Sequence, residues 1–410
     1  MTINRAILLA AWLMPRGAAA QETPPLGPQD VALLETTIRL QEKTGAEVWP
    51  GFDSYRPVVL FFNDNGQFLL NAQTAPSYYQ VYSATAPFWS KTSWWTKELR
   101  KQDGSFFSDD EFNKSVINSA YSSEETGYRF PYSIFLIDSL ERYRRKGHPW
   151  TAEDWMAIFW HEVFHVYQDS QYKPELTASE KTSIEPIKNL LDDPVYLELL
   201  QQEQALMKEA LLQPKLPKKN ETVCQKYLPQ RRLRHEGLKI KGRQGALQNE
   251  LFYEVSEGTA RYVEEITALT AAKLPAIELK KLDAGLYGGP DYSRFQKFKS
   301  RPLAYHYAQV DQFPQGTPYY YVTGFSLALL LDQLDPAWKK DIFQTENFFD
   351  AKLESYCQKY QQELIAQKRA QAKKHAEMKK RAQQKRLKEA KNPENAKQHD
   401  QRRTDNQLPR

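Results

Sequence analysis

Cysteine is scarce in this chain: Cys224 and Cys357 are the only two in 410 residues. That excludes a small scaffold held together by disulfides and allows at most one bridge. A bridge and a pair of buried thiols are both open on sequence alone. Long apolar runs are missing as well. Beyond the first 20 residues no stretch approaches the ~18–20 apolar residues that span a bilayer, so no transmembrane segment is expected in the body. No internal repeat is found, and histidines number only seven. What is present argues for a folded body with a large core. Hydrophobic residues make up 41% and aromatics 13%, which excludes a wholly disordered chain. The length allows two or three domains.

The two ends differ from the middle. Arg5, the apolar run 6–14, the breakers Pro15 and Gly17 and the small residues Ala18-Ala19-Ala20 read as an export signal cleaved after Ala20. An uncleaved anchor is the competing reading, for which the apolar run is short. The expected location is secreted or periplasmic. Residues 361–410 carry 15 Lys/Arg against 6 Asp/Glu, so the net charge of +5 conceals an acidic body of −6 over residues 21–360. Ala, Gln, Lys, Arg and Glu over 360–391 favour a helix without an apolar stripe, ended by Asn392-Pro393. Such a basic tail, partly helical and partly disordered, suits an anionic surface or polymer. It lacks interleaved aromatics, so no base-stacking platform and no specific nucleic acid partner are expected.

Within the body, a first helix is predicted over 30–44, with Asp30 as its N-cap and Gly45 past its end. Val58–Phe62 and Gln67–Leu70, separated by Asn63-Asp64-Asn65-Gly66, read as a hairpin. Residues 76–95 are crowded with Tyr and Trp, read as core rather than as a sugar platform. Helical patterns follow at 151–170, 194–213, 246–270 and 324–335. Strands early and helices later predict an α+β fold. Its parts would be a signal at 1–20, a β-containing portion at 21–150, a helical portion at 151–360 with an insertion at about 171–245, and the tail at 361–410.

Chemistry concentrates in Thr151-Ala-Glu-Asp-Trp-Met-Ala-Ile-Phe-Trp-His161-Glu162-Val-Phe-His165. Thr151 and Asp154 have the spacing of a capping pair ahead of a periodic helix. His161 and His165, at i and i+4, leave one helix face and can converge on one ion. Glu162, about 100° around the axis, can reach a metal-activated water without being a ligand. The spacing suits a zinc hydrolase, and seven histidines would produce it by chance about one time in a hundred. The alternative is a pair of packing or surface histidines.

Two ligands do not hold a catalytic zinc. Downstream, Glu257-Gly258-Thr259-Ala260-Arg261-Tyr262 resembles the ligand-bearing helix of the gluzincin metallopeptidases. The resemblance implies a zincin-like catalytic domain with one Zn²⁺ per chain held by His161, His165 and Glu257. Glu250, Glu254 and Glu264 stand nearby as competing carboxylates, Glu254 foremost. Gly258 and Ala260 leave room for close helix packing. Tyr319-Tyr320-Tyr321-Val322-Thr323-Gly324-Phe325 resembles the Tyr-x-x-Gly-Phe helix start of the aminopeptidase N-like gluzincins, whose tyrosine hydrogen-bonds the oxyanion. The matching position is Tyr321, with Tyr319, Tyr320 and His306 as alternatives.

The resemblance is confined to three patches between 151 and 335. It departs from the family in three respects. The gap from His165 to Glu257 is 92 residues, Arg261 stands where thermolysin-like enzymes carry an aspartate, and no Gly-x-Met-Glu-Asn string is present. The groups that orient the ligands must therefore be arranged differently or come from elsewhere, and an aminopeptidase preference is not implied. What the resemblance implies is an exported zinc metallopeptidase with Glu162 as general base, acting on a peptide or protein substrate. The competing expectation is a catalytically inactive envelope protein on the same scaffold that binds anionic polymers through its tail.

Overall fold

The computed structural model describes residues 26–72, 79–82, 93–96, 119–121, 134–171, 190–286, 292–299, 319–345 and 348–390. The expected signal segment, His306 and the end of the tail lie outside them, as does most of the aromatic segment 76–95. Over the described residues the chain is mainly helical with a small mixed sheet, a helical α+β fold.

Helix α1 (Pro28–Val48) opens the fold. Its N-cap is Gly27 rather than Asp30, because Pro28 supplies a preset φ at the first helical position. Asp30 sits in the first turn and accepts a hydrogen bond from Asn63 Nδ2 at 3.0 Å. The helix also runs through Gly45 to Val48. A Cβ on Gly45 would lie 2.7 Å from the Asp53 backbone nitrogen, so this glycine serves a close approach instead of ending the helix.

Strands β1 (Val58–Asn63) and β2 (Gly66–Leu70) form the expected hairpin around Asp64-Asn65, in a register from Asn63↔Gly66 to Val59↔Leu70. Short strands β3 (Gln80–Tyr82), β4 (Ser93–Thr96) and β5 (Ser119–Tyr121) join them, and β6 (Ile134–Asp138) runs parallel to β1. The order is β3-β4-β2-β1-β6-β5. The central pair is buried on both faces, which accounts for its nearly unbroken apolar composition.

From β6 the chain passes through α2 (Leu140–Arg145) into α3 (Ala152–Asp169). The capping pair forms: Thr151 Oγ1 accepts from the Asp154 amide at 3.3 Å, and Asp154 Oδ2 accepts from the Thr151 amide at 2.9 Å. Trp155 Nε1 donates to the Asp138 carbonyl (2.7 Å) and Trp160 Nε1 to the Thr37 carbonyl (3.2 Å). These two indoles fasten α3 to the end of β6 and to α1.

Next come α4 (Pro194–Leu212), α5 (Leu216–Glu221), a π-helical turn (Thr222–Tyr227), α6 (Leu228–Ile240) and the 30-residue α7 (Gln244–Lys273). After α8 (Ala276–Leu282) and α9 (Gln296–Lys299), α10 (Tyr319–Leu334) starts five residues earlier than the periodicity predicts, so the three tyrosines fill its first turn. The last helix, α11 (Phe348–Ala390), runs 43 residues without a break at position 361. Its portion beyond Tyr360 is almost wholly exposed. Cys224 and Cys357 are bridged, with their Cα atoms 5.3 Å apart, tying the π-helical turn to α11.

Two buried arginines hold the α4–α6 segment against α7. Arg234 reaches Glu203 (2.7 Å) and Glu250 (2.7 Å), while Arg231 reaches Glu203 (2.9 Å), Asp350 (2.6 Å) and Glu254. Fully desolvated guanidinium groups require such multiple carboxylate partners. Among the described residues, no helix is long and apolar enough to cross a membrane.

Candidate metal centre

Helices α3 and α7 pack side by side and present three donor atoms to one point. His161 and His165 project from the same face of α3, their Nε2 atoms 3.1 Å apart. Glu257 Oε2 lies 3.4 Å from His161 Nε2 and 3.3 Å from His165 Nε2. That oxygen is buried and has no hydrogen-bond partner. Three converging donors spaced this way match the edges of a tetrahedron with ~2.0–2.1 Å metal bonds, which are about 3.3 Å long. The group His161, His165, Glu257 could therefore hold a metal ion.

The outward ring nitrogens are capped. His161 Nδ1 lies 3.0 Å from Glu264 Oε2, and His165 Nδ1 lies 2.8 Å from Gln168 Oε1. A ligating imidazole is normally oriented by such a partner on its other nitrogen. Glu264, a competing ligand on sequence grounds, is thus placed behind His161, two turns beyond Glu257 on α7. It backs that imidazole with a carboxylate.

Electrostatics follow from packing three carboxyl groups and two imidazoles together, largely out of water. Burial opposes the charged form of His161, yet Glu257 and Glu264 outweigh it and raise the pKa to about 10. His165 is raised too, burial being outweighed by Glu257. Glu257 moves the opposite way: despite burial, His165 and His161 hold it far below the usual carboxylate range. Glu162, also buried, is pushed up by desolvation, with the two histidines pulling against it. A carboxyl group raised in this manner takes up a proton more readily than a solvated one.

The three consecutive tyrosines separate into different environments. Tyr319 points away from the histidines, donating to Glu250 Oε2 at 2.9 Å and meeting Tyr196. Tyr320 stacks between Tyr253 and Tyr321. Tyr321 lies nearly parallel to the His161 ring, centroids 6.1 Å apart, and burial together with the nearby Glu257 carboxylate pushes its hydroxyl pKa up. Of the three, Tyr321 is the one set against the metal-binding group. Glu250 and Glu254, the remaining competitors for the third ligand position, are engaged by Arg234 and Arg231 instead.

Gln168 was not given a role by sequence, and Gly324 was read only as part of the Tyr-x-x-Gly-Phe string, without its packing role. Gln168 stands three residues after His165, on the same helix face, so helical spacing alone could have pointed to it. Gly324 carries no side chain whose chemistry would reveal its part. Comparisons of the chain with family models, with curated proteins and with solved structures found no match.

Proposed function

We propose that this chain is an exported zinc metallopeptidase of gluzincin type, with a zincin-like arrangement of mixed sheet, His-bearing helix and Glu-bearing helix. The observation that carries the proposal is the convergence of His161 Nε2, His165 Nε2 and the unpartnered Glu257 Oε2. Two imidazole nitrogens with one carboxylate favour zinc over calcium or magnesium. When bound, the ion would supply Lewis acidity, acidifying a water and polarising the scissile carbonyl. Glu162 would take the water's proton and pass it to the leaving amine. Tyr321 would donate its hydroxyl proton in a hydrogen bond to the developing oxyanion. Glu264 and Gln168 would keep the imidazoles aimed. Export is supported by the amino-terminal signal pattern and by the Cys224–Cys357 bridge, which belongs in an oxidising compartment.

The exposed basic length of α11 supports a second role alongside hydrolysis, the docking of the enzyme on an anionic surface or polymer. The deciding experiment is the metal content of the purified protein after exhaustive dialysis. About one tightly held zinc per chain is expected. A chain that holds none and takes none up on titration would exclude hydrolysis by this route and leave the inactive-scaffold alternative, with α11 as its working part.

A further inference from the structure

We infer that Gln168 is a positioning residue for the metal centre: it fixes which nitrogen of His165 faces the ion and clamps α3 to α7 beside Glu257. The inference rests on the metallopeptidase proposal and deepens it.

Gln168 is 1% exposed, so protein atoms must satisfy its amide. Its Nε2 donates to the Ser256 carbonyl at 2.8 Å and to Thr259 Oγ1 at 2.7 Å. The Thr259 hydroxyl spends its own proton on the Val255 carbonyl at 2.6 Å, so its oxygen must accept from Gln168. Turning the amide over would set two carbonyl oxygens against each other at Ser256. The orientation is thus determined, and Oε1 faces His165 Nδ1 at 2.8 Å. An amide oxygen only accepts, so Nδ1 must carry the proton. In neutral His165 this leaves the Nε2 lone pair on the side of His161 and Glu257.

The same amide binds α7 at the residue before Glu257 and at the second residue after it. One side chain therefore sets both the imidazole and the local rotation of the carboxylate-bearing helix. His161 is backed differently, by the charged Glu264, so the two imidazoles are held by independent devices.

The test uses the full-length protein and two readouts: zinc affinity by chelator competition, and ¹⁵N spectra of the metal-free protein at alkaline pH showing which His165 nitrogen is protonated. Gln168→Met keeps the length and loses every hydrogen bond. It should weaken zinc binding about 10- to 100-fold and lose the fixed Nδ1–H signal. Gln168→Glu can accept from His165 but cannot donate to α7, so it should keep the proton on Nδ1 while recovering only part of the affinity. Thr259→Val should weaken zinc, and added to Gln168→Met it should cost nothing further, because Thr259 acts through the amide. A folded Gln168→Met that binds zinc within about twofold of wild type and keeps the Nδ1 proton would overturn the inference. If that variant fails to fold, wild-type zinc affinity in Thr259→Val would do the same. Absence of zinc binding by the wild type would instead sink the metallopeptidase proposal, while the spectra would still report on His165.

Discussion

Gly258 of α7 and Gly324 of α10 meet backbone to backbone, and a Cβ on either would overlap the other helix. A glycine inside a helix costs about 1 kcal/mol relative to alanine, so two facing each other at one crossing mark a contact that nothing larger permits. Gly258 follows Glu257 directly, and Gly324 lies one turn after Tyr321. The closest approach of the two helices therefore brings Tyr321 beside Glu257, whose charge helps raise the tyrosine pKa.

Gly258→Ala and Gly324→Ala should each destabilise the protein despite the better helix propensity of alanine. The added methyl meets backbone, which cannot rotate away, so the overpacking cost should reach or exceed the usual ~1–3 kcal/mol. Thermal melts and zinc stoichiometry would check this. Variants that melt as high as the parent and hold zinc as well would show the crossing to be looser than described.

Glu162→Gln should retain zinc and lose hydrolysis by about 10²- to 10⁴-fold, the usual worth of a positioned general base. His161→Ala and His165→Ala should lose the metal itself. Peptide turnover and metal content measured on the same preparations separate the two effects. Wild-type turnover by Glu162→Gln would remove Glu162 from the mechanism.

The two tyrosines at positions 319 and 321 should respond in opposite ways. Tyr321→Phe should cut turnover by ~10²–10³-fold with zinc affinity unchanged, as loss of one oxyanion donor does. Tyr319→Phe removes a hydroxyl shared by Glu250 and Tyr196, so it should cost about 1 kcal/mol of stability with little change in turnover. Kinetics and melts on both variants would show whether the register assigned to the Tyr-x-x-Gly-Phe string is right.

The site was more legible in the sequence than the fold around it, for physical reasons. His161, Glu162 and His165 lie within two turns of one helix, so their geometry follows from local periodicity, and the Thr151 cap marks where that helix begins. The hairpin was legible because turn and strand signals are equally local. Glu257 could be reached only through resemblance, and the choice among Glu250, Glu254, Glu257 and Glu264 is decided by which face α7 turns toward α3. That rotation depends on Arg231 and Arg234 from a distant segment, and on Gly324. No local pattern encodes those partners. The end of α1 was misplaced for a similar reason: Gly45 resembles a helix terminator in sequence, yet tertiary contact with Asp53 explains it.

The buried charge cluster around Arg231 and Arg234 makes an acid-stability prediction whose sign is fixed. Burial would raise the carboxyl groups of Glu203, Glu250 and Asp350, but the arginines outweigh it and all three are lowered. A carboxyl group more acidic in the folded chain than in the unfolded one stabilises the fold above its unfolded value, near 4, and that contribution is lost as pH falls below it. Glu254 is shifted upward by burial and stands outside this group. Arg234→Met should raise the pKa values of Glu203 and Glu250, and Glu250 further, because Glu203 keeps Arg231 at 2.9 Å. With Arg234 gone, burial is opposed more weakly at both, so removing the arginine should cost about 3–5 kcal/mol at neutral pH. Mild acidification should then restore part of the loss by protonating the stranded carboxylates. Melting curves of both proteins from neutral to acid pH, with chelator present so that the metal centre contributes equally, give the difference directly. The gap between wild type and Arg234→Met should narrow as pH falls toward 4. A gap that stays constant would mean that the two glutamates do not titrate with folding and that the arginine stabilises by packing alone.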